Sequence, residues 1–241
     1  DIFCLQETKV SRDALTEPLA FVEGYNSYFS FSHSRSGYPG VATFCKDSVT
    51  SVAAEESLSA VLTPQQKVFT QEEKGKPLTL INVYCLCTDP RNPEWLIFKM
   101  HFYRLLQIRA EALLAAGSHV IILGGMNIAY CPIDHCDAGG LGCFEEVLGR
   151  KRMDGLLSNP EYQAGSHIGP FMDSYLYFYP KQERAFTCWS VISSVRNLNY
   201  GTRLDYILGY RTLTIDTFQD AFLLPEMMGS DHCPVEAVLH V

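Results

Sequence analysis

His119-Val120-Ile121-Ile122-Leu123-Gly124-Gly125-Met126-Asn127 is the stretch on which the fold turns. Its first five residues form an unbroken, β-branched-rich apolar run, the pattern of a strand buried on both faces. Two glycines end the run, and an amide side chain, Asn127, follows them. Just upstream, residues 95–116 place Phe98, Phe102, Leu105, Leu106, Ile108, Leu113 and Leu114 at helical spacing before Gly117. That spacing predicts an amphipathic helix with a glycine stop. Before the helix, Leu78-Thr79-Leu80-Ile81-Asn82-Val83-Tyr84 reads as a second buried strand, ending in a tyrosine. Strands mixed with helices in this way indicate an α/β protein.

Working outward, residues 2–5 read as a buried strand that ends abruptly in Gln6-Glu7-Thr8-Lys9. A carboxylate at the C-terminal end of a buried strand is where α/β proteins place functional groups. Residues 13–22 suggest a short helix closed by Gly24, and residues 25–31 and 41–44 suggest strands joined by a turn between Gly37 and Gly40. Residues 51–77 are weakly patterned, with one weak strand near Val68-Phe69, and residues 143–157 read as a helix interrupted at Gly149. Asp205 sits among Leu204, Tyr206 and Ile207, where a buried acid requires a partner. Residues 212–221 read as a strand. Then comes Gly229-Ser230-Asp231-His232-Cys233-Pro234, an imidazole beside a carboxylate, followed by a terminal strand. This is raw material for acid/base or phosphate chemistry. Polar groups thus recur at strand ends: Glu7, Tyr84, Asn127, Asp205, Asp231 and His232.

Composition narrows the function classes. With 241 residues, 47% hydrophobic and 19% charged, the chain reads as one domain, residues 1–241, with a substantial core. No apolar run is long enough to cross a bilayer. A net charge of −8 argues against a broad basic surface for nucleic acid, so DNA contact has to be local and acids are available for a cation. Nine cysteines without a CxxC pair read as reduced thiols. Cys131, Cys136 and Cys143, with His135 and His232, lack the paired spacing of structural zinc, so no zinc is expected from them. Trp189, His101 and His119 read as structural, and Arg150-Lys151-Arg152 as a solvated basic patch within reach of a DNA backbone. The start at Asp1-Ile2-Phe3-Cys4-Leu5, without Met or leader, suggests a truncated chain.

Five segments then acquire a joint meaning. Leu5-Gln6-Glu7-Thr8-Lys9, Ile81-Asn82-Val83-Tyr84, Leu123-Gly124 with Asn127, Asn199-x-Gly201-x-Arg203-Leu204-Asp205-Tyr206 and Ser230-Asp231-His232-Cys233-Pro234 resemble the exonuclease III / AP endonuclease family, in that family's order. The resemblance implies a four-layered α/β sandwich, two mixed β-sheets packed face to face and flanked by helices. It implies DNA phosphodiester hydrolysis 5′ to abasic sites, with 3′-5′ exonuclease and 3′-phosphodiesterase activity. DNA with abasic sites or blocked 3′ ends is the implied partner, and nucleus and mitochondria are the implied locations. Mg²⁺, or Mn²⁺ in its place, is the implied cofactor, with Glu7 as ligand and Asp231 at the metal edge. Tyr84 and Asn127 would contact the scissile phosphate, and Asp205 would orient His232, which stabilises phosphate charge.

The match is incomplete. The family motif is Gly-Asp-x-Asn, whose Asp handles the attacking water, and here that position is Gly125. The family's opening strand is absent, and residues 51–77 are too short for its further strands and Glu-Gly-Arg turn. Exposed sheet edges and impaired activity are therefore expected. No sliding-clamp motif or zinc-bearing nucleic-acid module is seen. Two competing readings stand beside the nuclease: a catalytically silent DNA-binding or scaffold domain, and a superfamily phosphatase acting on inositol phosphates or lipids.

Overall fold

The computed structural model describes residues 1–31, 40–49, 51, 53–56, 58, 72–73, 76–87, 91–137, 148–157, 169–191 and 194–240, which divide into two compact units. The first comprises residues 1–84 and 108–125, and the second residues 85–107 and 126–241. Readings that fall on Gly37, Val68-Phe69 and residues 143–147 lie outside the described residues.

In the first unit, β1 (Ile2–Gln6) and β2 (Tyr25–Ser30) flank β3 (Val41–Lys46) in an antiparallel sheet. The turns between β1 and β2 hold α1 (Glu17–Ala20), shorter than the helix expected over residues 13–22. Pro18 in its first turn suits a helix start, but the capping Thr16 makes no side-chain bond, so little prolongs it. A second sheet contains β4 (Glu72–Glu73) antiparallel to β5 (Lys76–Tyr84), which runs parallel to β6 (His119–Gly125). Leu80, Ile81, Val83, Val120, Ile121 and Ile122 are all buried, as their apolar runs require.

Asn82 stitches the two sheets of this unit together. It accepts from Gln6 Nε2 at 2.8 Å and donates to Ala42 O at 3.0 Å and Thr43 Oγ1 at 3.1 Å. Mixed strand directions and facing sheets are the α/β sandwich that the family resemblance implies. One expectation fails in detail: residues 2–5 are an edge strand, not a buried one, with Phe3 and Leu5 57% and 50% exposed. Among the described residues β1 bonds only to β3, so alternate side chains face the sandwich and the others face out.

Helix α2 (Pro93–Ala115) ends where predicted, with Gly117 at φ +90° allowing the chain to leave the helix. Its faces are less sorted than its spacing suggests. Tyr103, Leu106 and Ala110 are buried, yet so are Lys99 and Arg109, while Phe98 and Leu105 are exposed. The buried charges have partners: Arg109 pairs with Glu55 at 2.8 Å, and Lys99 Nζ donates to Asn127 O at 2.6 Å.

In the second unit, α3 (Leu148–Met153) precedes β7 (Phe171–Asp173), which pairs antiparallel with β8 (Asp205–Tyr210). Asp173 then caps α4 (Ser174–Phe178) by accepting from Tyr175 N and Leu176 N. The strand expected over residues 212–221 is a helix followed by a strand, α5 (Arg211–Thr217) and β9 (Phe218–Leu223). Its β-branched residues favour a strand locally. Burial of Leu213, Thr214 and Thr217, at helical spacing, and a bond from Thr217 Oγ1 to Leu213 O decide for the helix. Antiparallel to β9 runs β10 (Val235–Leu239), directly after the Asp231-His232 pair.

Candidate active site

Within the second unit, three separate segments converge on the segment that carries Asp205. Met126 N and Asn127 N both donate to Leu204 O, at 2.9 and 3.3 Å, which ties the Asn127 turn to the residue before Asp205. Cys188 and Thr202 exchange backbone bonds, Trp189 N donates to Asp231 O, and Cys233 N donates to Thr187 O. Residues 187–189 therefore lie between the Asp205 segment and the Asp231–Cys233 segment. Across this weave, His232 Nδ1 meets Asp205 Oδ2 at 2.7 Å. Asp205 is buried at the start of β8, and the same oxygen accepts from Thr187 Oγ1 at 2.6 Å. The acid amid apolar neighbours has the partners its burial demands.

This arrangement fixes the charge of His232. Burial works against an imidazolium, but hydrogen bonds with Asp205 and Cys188 outweigh it and raise the pKa from 6.5 to about 11. A folded pKa above the unfolded one means a stabilising contribution that is complete below about pH 6.5 and fades as pH climbs towards 11. Ring ¹⁵N shifts should show His232 doubly protonated at pH 8; a neutral ring at pH 7 would refute this.

Asn127 adopts φ 51°, a left-handed conformation that Asn tolerates better than most residues. Its side-chain amide donates to Cys85 O, and its carbonyl accepts from buried Lys99, whose pKa is lowered by burial. The amide is thus set by the fold before any ligand arrives.

Glu7, Tyr84 and Gly125 belong to the first unit. Glu7 directly follows β1 with φ 52°, and its half-exposed carboxylate lies 3.5 Å from Lys9 Nζ. Tyr84, the last residue of β5, pairs in register with Gly125, the last residue of β6. Gly124 has φ +122°, and a Cβ there would lie 2.1 Å from Val83 O, so this glycine is demanded by the backbone. Gly125 is buried but has no positive φ.

An oxygen-seeking ion that keeps several waters fits an accessible carboxylate such as Glu7. Asp231 is exposed and accepts from Ser230 Oγ at 3.3 Å, but its neighbours Cys188 and His232 offer sulfur and nitrogen instead of further oxygen. Glu7 therefore suits Mg²⁺ better than Asp231 does.

Several residues of the site escape sequence reading. Thr187 and Cys188 lie in the stretch Phe186-Thr187-Cys188-Trp189, which carries no motif or periodicity that marks either residue. Arg196 donates to Pro225 O, Met227 O and Ser230 O while its guanidinium lies 4.5 Å over the Trp189 ring, clamping the loop that carries Asp231 and His232. Trp189 is buried, in keeping with a structural role, and bonds Asn199 Oδ1. The basic triplet divides: Lys151 and Arg152 are exposed, whereas Arg150 is half-buried and donates to Ala129 O at 2.6 Å, so it is not a freely solvated charge. The eight described cysteines are all free. Among the described residues, no helix is long and apolar enough to cross a membrane.

A model of the endonuclease/exonuclease/phosphatase family matches residues 1–232. Mouse DNA-(apurinic or apyrimidinic site) endonuclease 2 is 66% identical across the whole chain, which covers 53% of the mouse protein. The human protein of the same name is 64% identical, with 52% of it covered. The chain spans about half the length of the curated relatives it matches. Each aligned span is 272 residues, longer than the 241 of this chain, so these relatives carry insertions that the chain lacks. The solved catalytic domain of Xenopus laevis APE2 superposes with TM-score 0.88 at 49% identity, covering 99% of this chain and 83% of that one. An AP endonuclease from Leishmania major, at 22% identity and TM-score 0.75, covers 100% of this chain and 79% of its own; it attests the fold alone.

Proposed function

The chain belongs to the endonuclease/exonuclease/phosphatase family, and from that we propose that its 241 residues form the catalytic domain of a DNA-repair nuclease of the exonuclease III type. Its substrate is DNA with an abasic site or a blocked 3′ end. It nicks 5′ to the abasic site and trims 3′ ends, at a rate impaired by Gly125. The observation that carries this reading is the Asp205–His232 pair at 2.7 Å, a fixed imidazolium next to Asn127's anchored turn. Similarity to proteins named for action on abasic DNA supports the substrate class, and we propose a nuclear or mitochondrial location.

In the reaction, water oxygen bonds to phosphorus and gives up a proton to solvent while the P–O3′ bond breaks, and the departing oxygen keeps the electron pair and takes a proton from solvent. Negative charge grows on the phosphate, where a preformed donor is worth most. His232 provides that donor as an imidazolium, and Asp205 with Thr187 holds its ring orientation. One N–H of the Asn127 amide is engaged by Cys85 O, and the second is available for a phosphate oxygen. Tyr84 contributes a phenol at the end of β5. A magnesium ion held through Glu7 would offset charge on the phosphate and leaving oxygen. With Gly125 in the water-handling position, no side chain there orients or deprotonates the nucleophile.

The test is a labelled abasic-site duplex with Mg²⁺ and enzyme in excess. A slow, Mg²⁺-dependent nick 5′ of the lesion, lost in His232→Ala, is the expected result. Gly125 favours one second reading, a silent DNA-binding domain. Salt-dependent binding of the abasic duplex with no nick over days would establish that instead.

A further inference from the structure

We propose that Cys188, Asp231 and His232 form a binding site for Zn²⁺, and that zinc there switches off His232; only this last consequence rests on the nuclease reading. Among the described residues, one ligand atom from each of the three lies within 4.8 Å of the others. The backbone builds this grouping. Cys188 forms an antiparallel bridge with His232 on one side and with Thr202 on the other, and Trp189 N holds Asp231 O at 2.9 Å.

The donor set selects the ion. Thiolate, imidazole and carboxylate are zinc's ligand types, at roughly 2.3, 2.0–2.1 and 2.0–2.2 Å, and three protein ligands leave a fourth position for water or a phosphate oxygen. Mg²⁺ takes oxygen ligands and stays largely hydrated, so it gains nothing from a thiol. Tetrahedral donors sit about 3.5 Å apart at those bond lengths, so the group has to contract by about 1 Å. Asp231 is exposed and Cys188 half-buried, and neither side chain is locked by core packing.

A second observation points the same way. Zinc-binding histidines almost always donate their other ring N–H to a carboxylate, which fixes the tautomer and strengthens the ligand. His232 Nδ1 already does so, to Asp205 Oδ2 at 2.7 Å, and that oxygen is itself held by Thr187 Oγ1. Nε2 is left as the ligating nitrogen. An imidazole bonded to zinc through Nε2 carries no proton to give a phosphate, so occupancy removes the donor that the proposed hydrolysis uses.

The site is tested without DNA, using Co²⁺ and Zn²⁺ alone with the full chain. Co²⁺ should produce a near-ultraviolet sulfur-to-metal charge-transfer band that Zn²⁺ displaces and that Cys188→Ser abolishes. Asp205→Asn should weaken binding by about 10- to 100-fold, the range for losing such a partner. On the unmutated chain, Zn²⁺ should shield Cys188 from iodoacetamide while exposed Cys87 still reacts, as read by peptide mass spectrometry. No charge-transfer band, a band that survives Cys188→Ser, or unchanged Cys188 alkylation overturns the proposal. Because binding is read directly, its failure leaves the nuclease reading standing, and a failed nuclease assay leaves the metal site standing.

Discussion

Gly125→Asp should raise Mg²⁺-dependent cleavage of an abasic duplex by about 10²- to 10⁴-fold, the range a general base contributes. The backbone permits the change. Gly125 ends β6 in register with Tyr84, and unlike Gly124 it does not use a positive φ, so an L-residue enters without left-handed strain. Gly125→Asn separates two roles: an amide can orient water but cannot take its proton, so it should recover only part of the gain. Adding His232→Ala to Gly125→Asp should abolish it, because a base without the imidazolium leaves the growing phosphate charge unanswered. Single-turnover rates on one duplex read all three. A Gly125→Asp enzyme no faster than the parent, yet folded, would mean that the remaining groups are not assembled for catalysis.

That prediction depends on groups far apart in the chain, and the sequence discloses them unevenly. Residues 78–84 and 119–123 announce their strands because a buried parallel strand must be apolar on both faces. Residues 2–5 look alike in composition, but an edge strand can carry the same run with half of it exposed, as Phe3 and Leu5 are. The helix at Arg211–Thr217 is hidden because its threonines and Ile215 favour a strand locally, and only tertiary burial reverses that preference. In the site, Asp205 can be suspected from its apolar neighbours, while His232 lies 27 residues further on and composition says nothing of their meeting. Their pairing is foreshadowed only by the order of the family motifs. Thr187, Cys188 and Arg196 act through contacts made when loops cross, and no local pattern marks such crossings.

The second large effect concerns Arg203, two residues before Asp205. Its guanidinium is 1% exposed, with Nε 2.7 Å from Asp134 Oδ1 and Nη1 2.7 Å from Asp173 Oδ2. Burial opposes its charge, but the two carboxylates outweigh burial and hold it protonated. Asp173 is pushed the other way, its pKa raised chiefly by burial. Both acids also serve the backbone: Asp134 accepts from Cys131 N, and Asp173 caps α4. Arg203→Met keeps most of the volume and strands two buried carboxylates, which should cost about 3–5 kcal/mol of unfolding free energy. The deficit should be largest at pH 8 and shrink towards pH 5. Unpaired buried carboxyls have raised folded pKa values, so protonation as pH falls relieves the folded state more than the unfolded one. Adding Asp134→Asn and Asp173→Asn should recover most of the loss at pH 8, since the amides keep the backbone bonds without charge. Urea unfolding of the parent and both variants at the two pH values decides the matter. A loss below about 1 kcal/mol, or one independent of pH, would show that packing and not uncompensated charge is what Arg203 supplies.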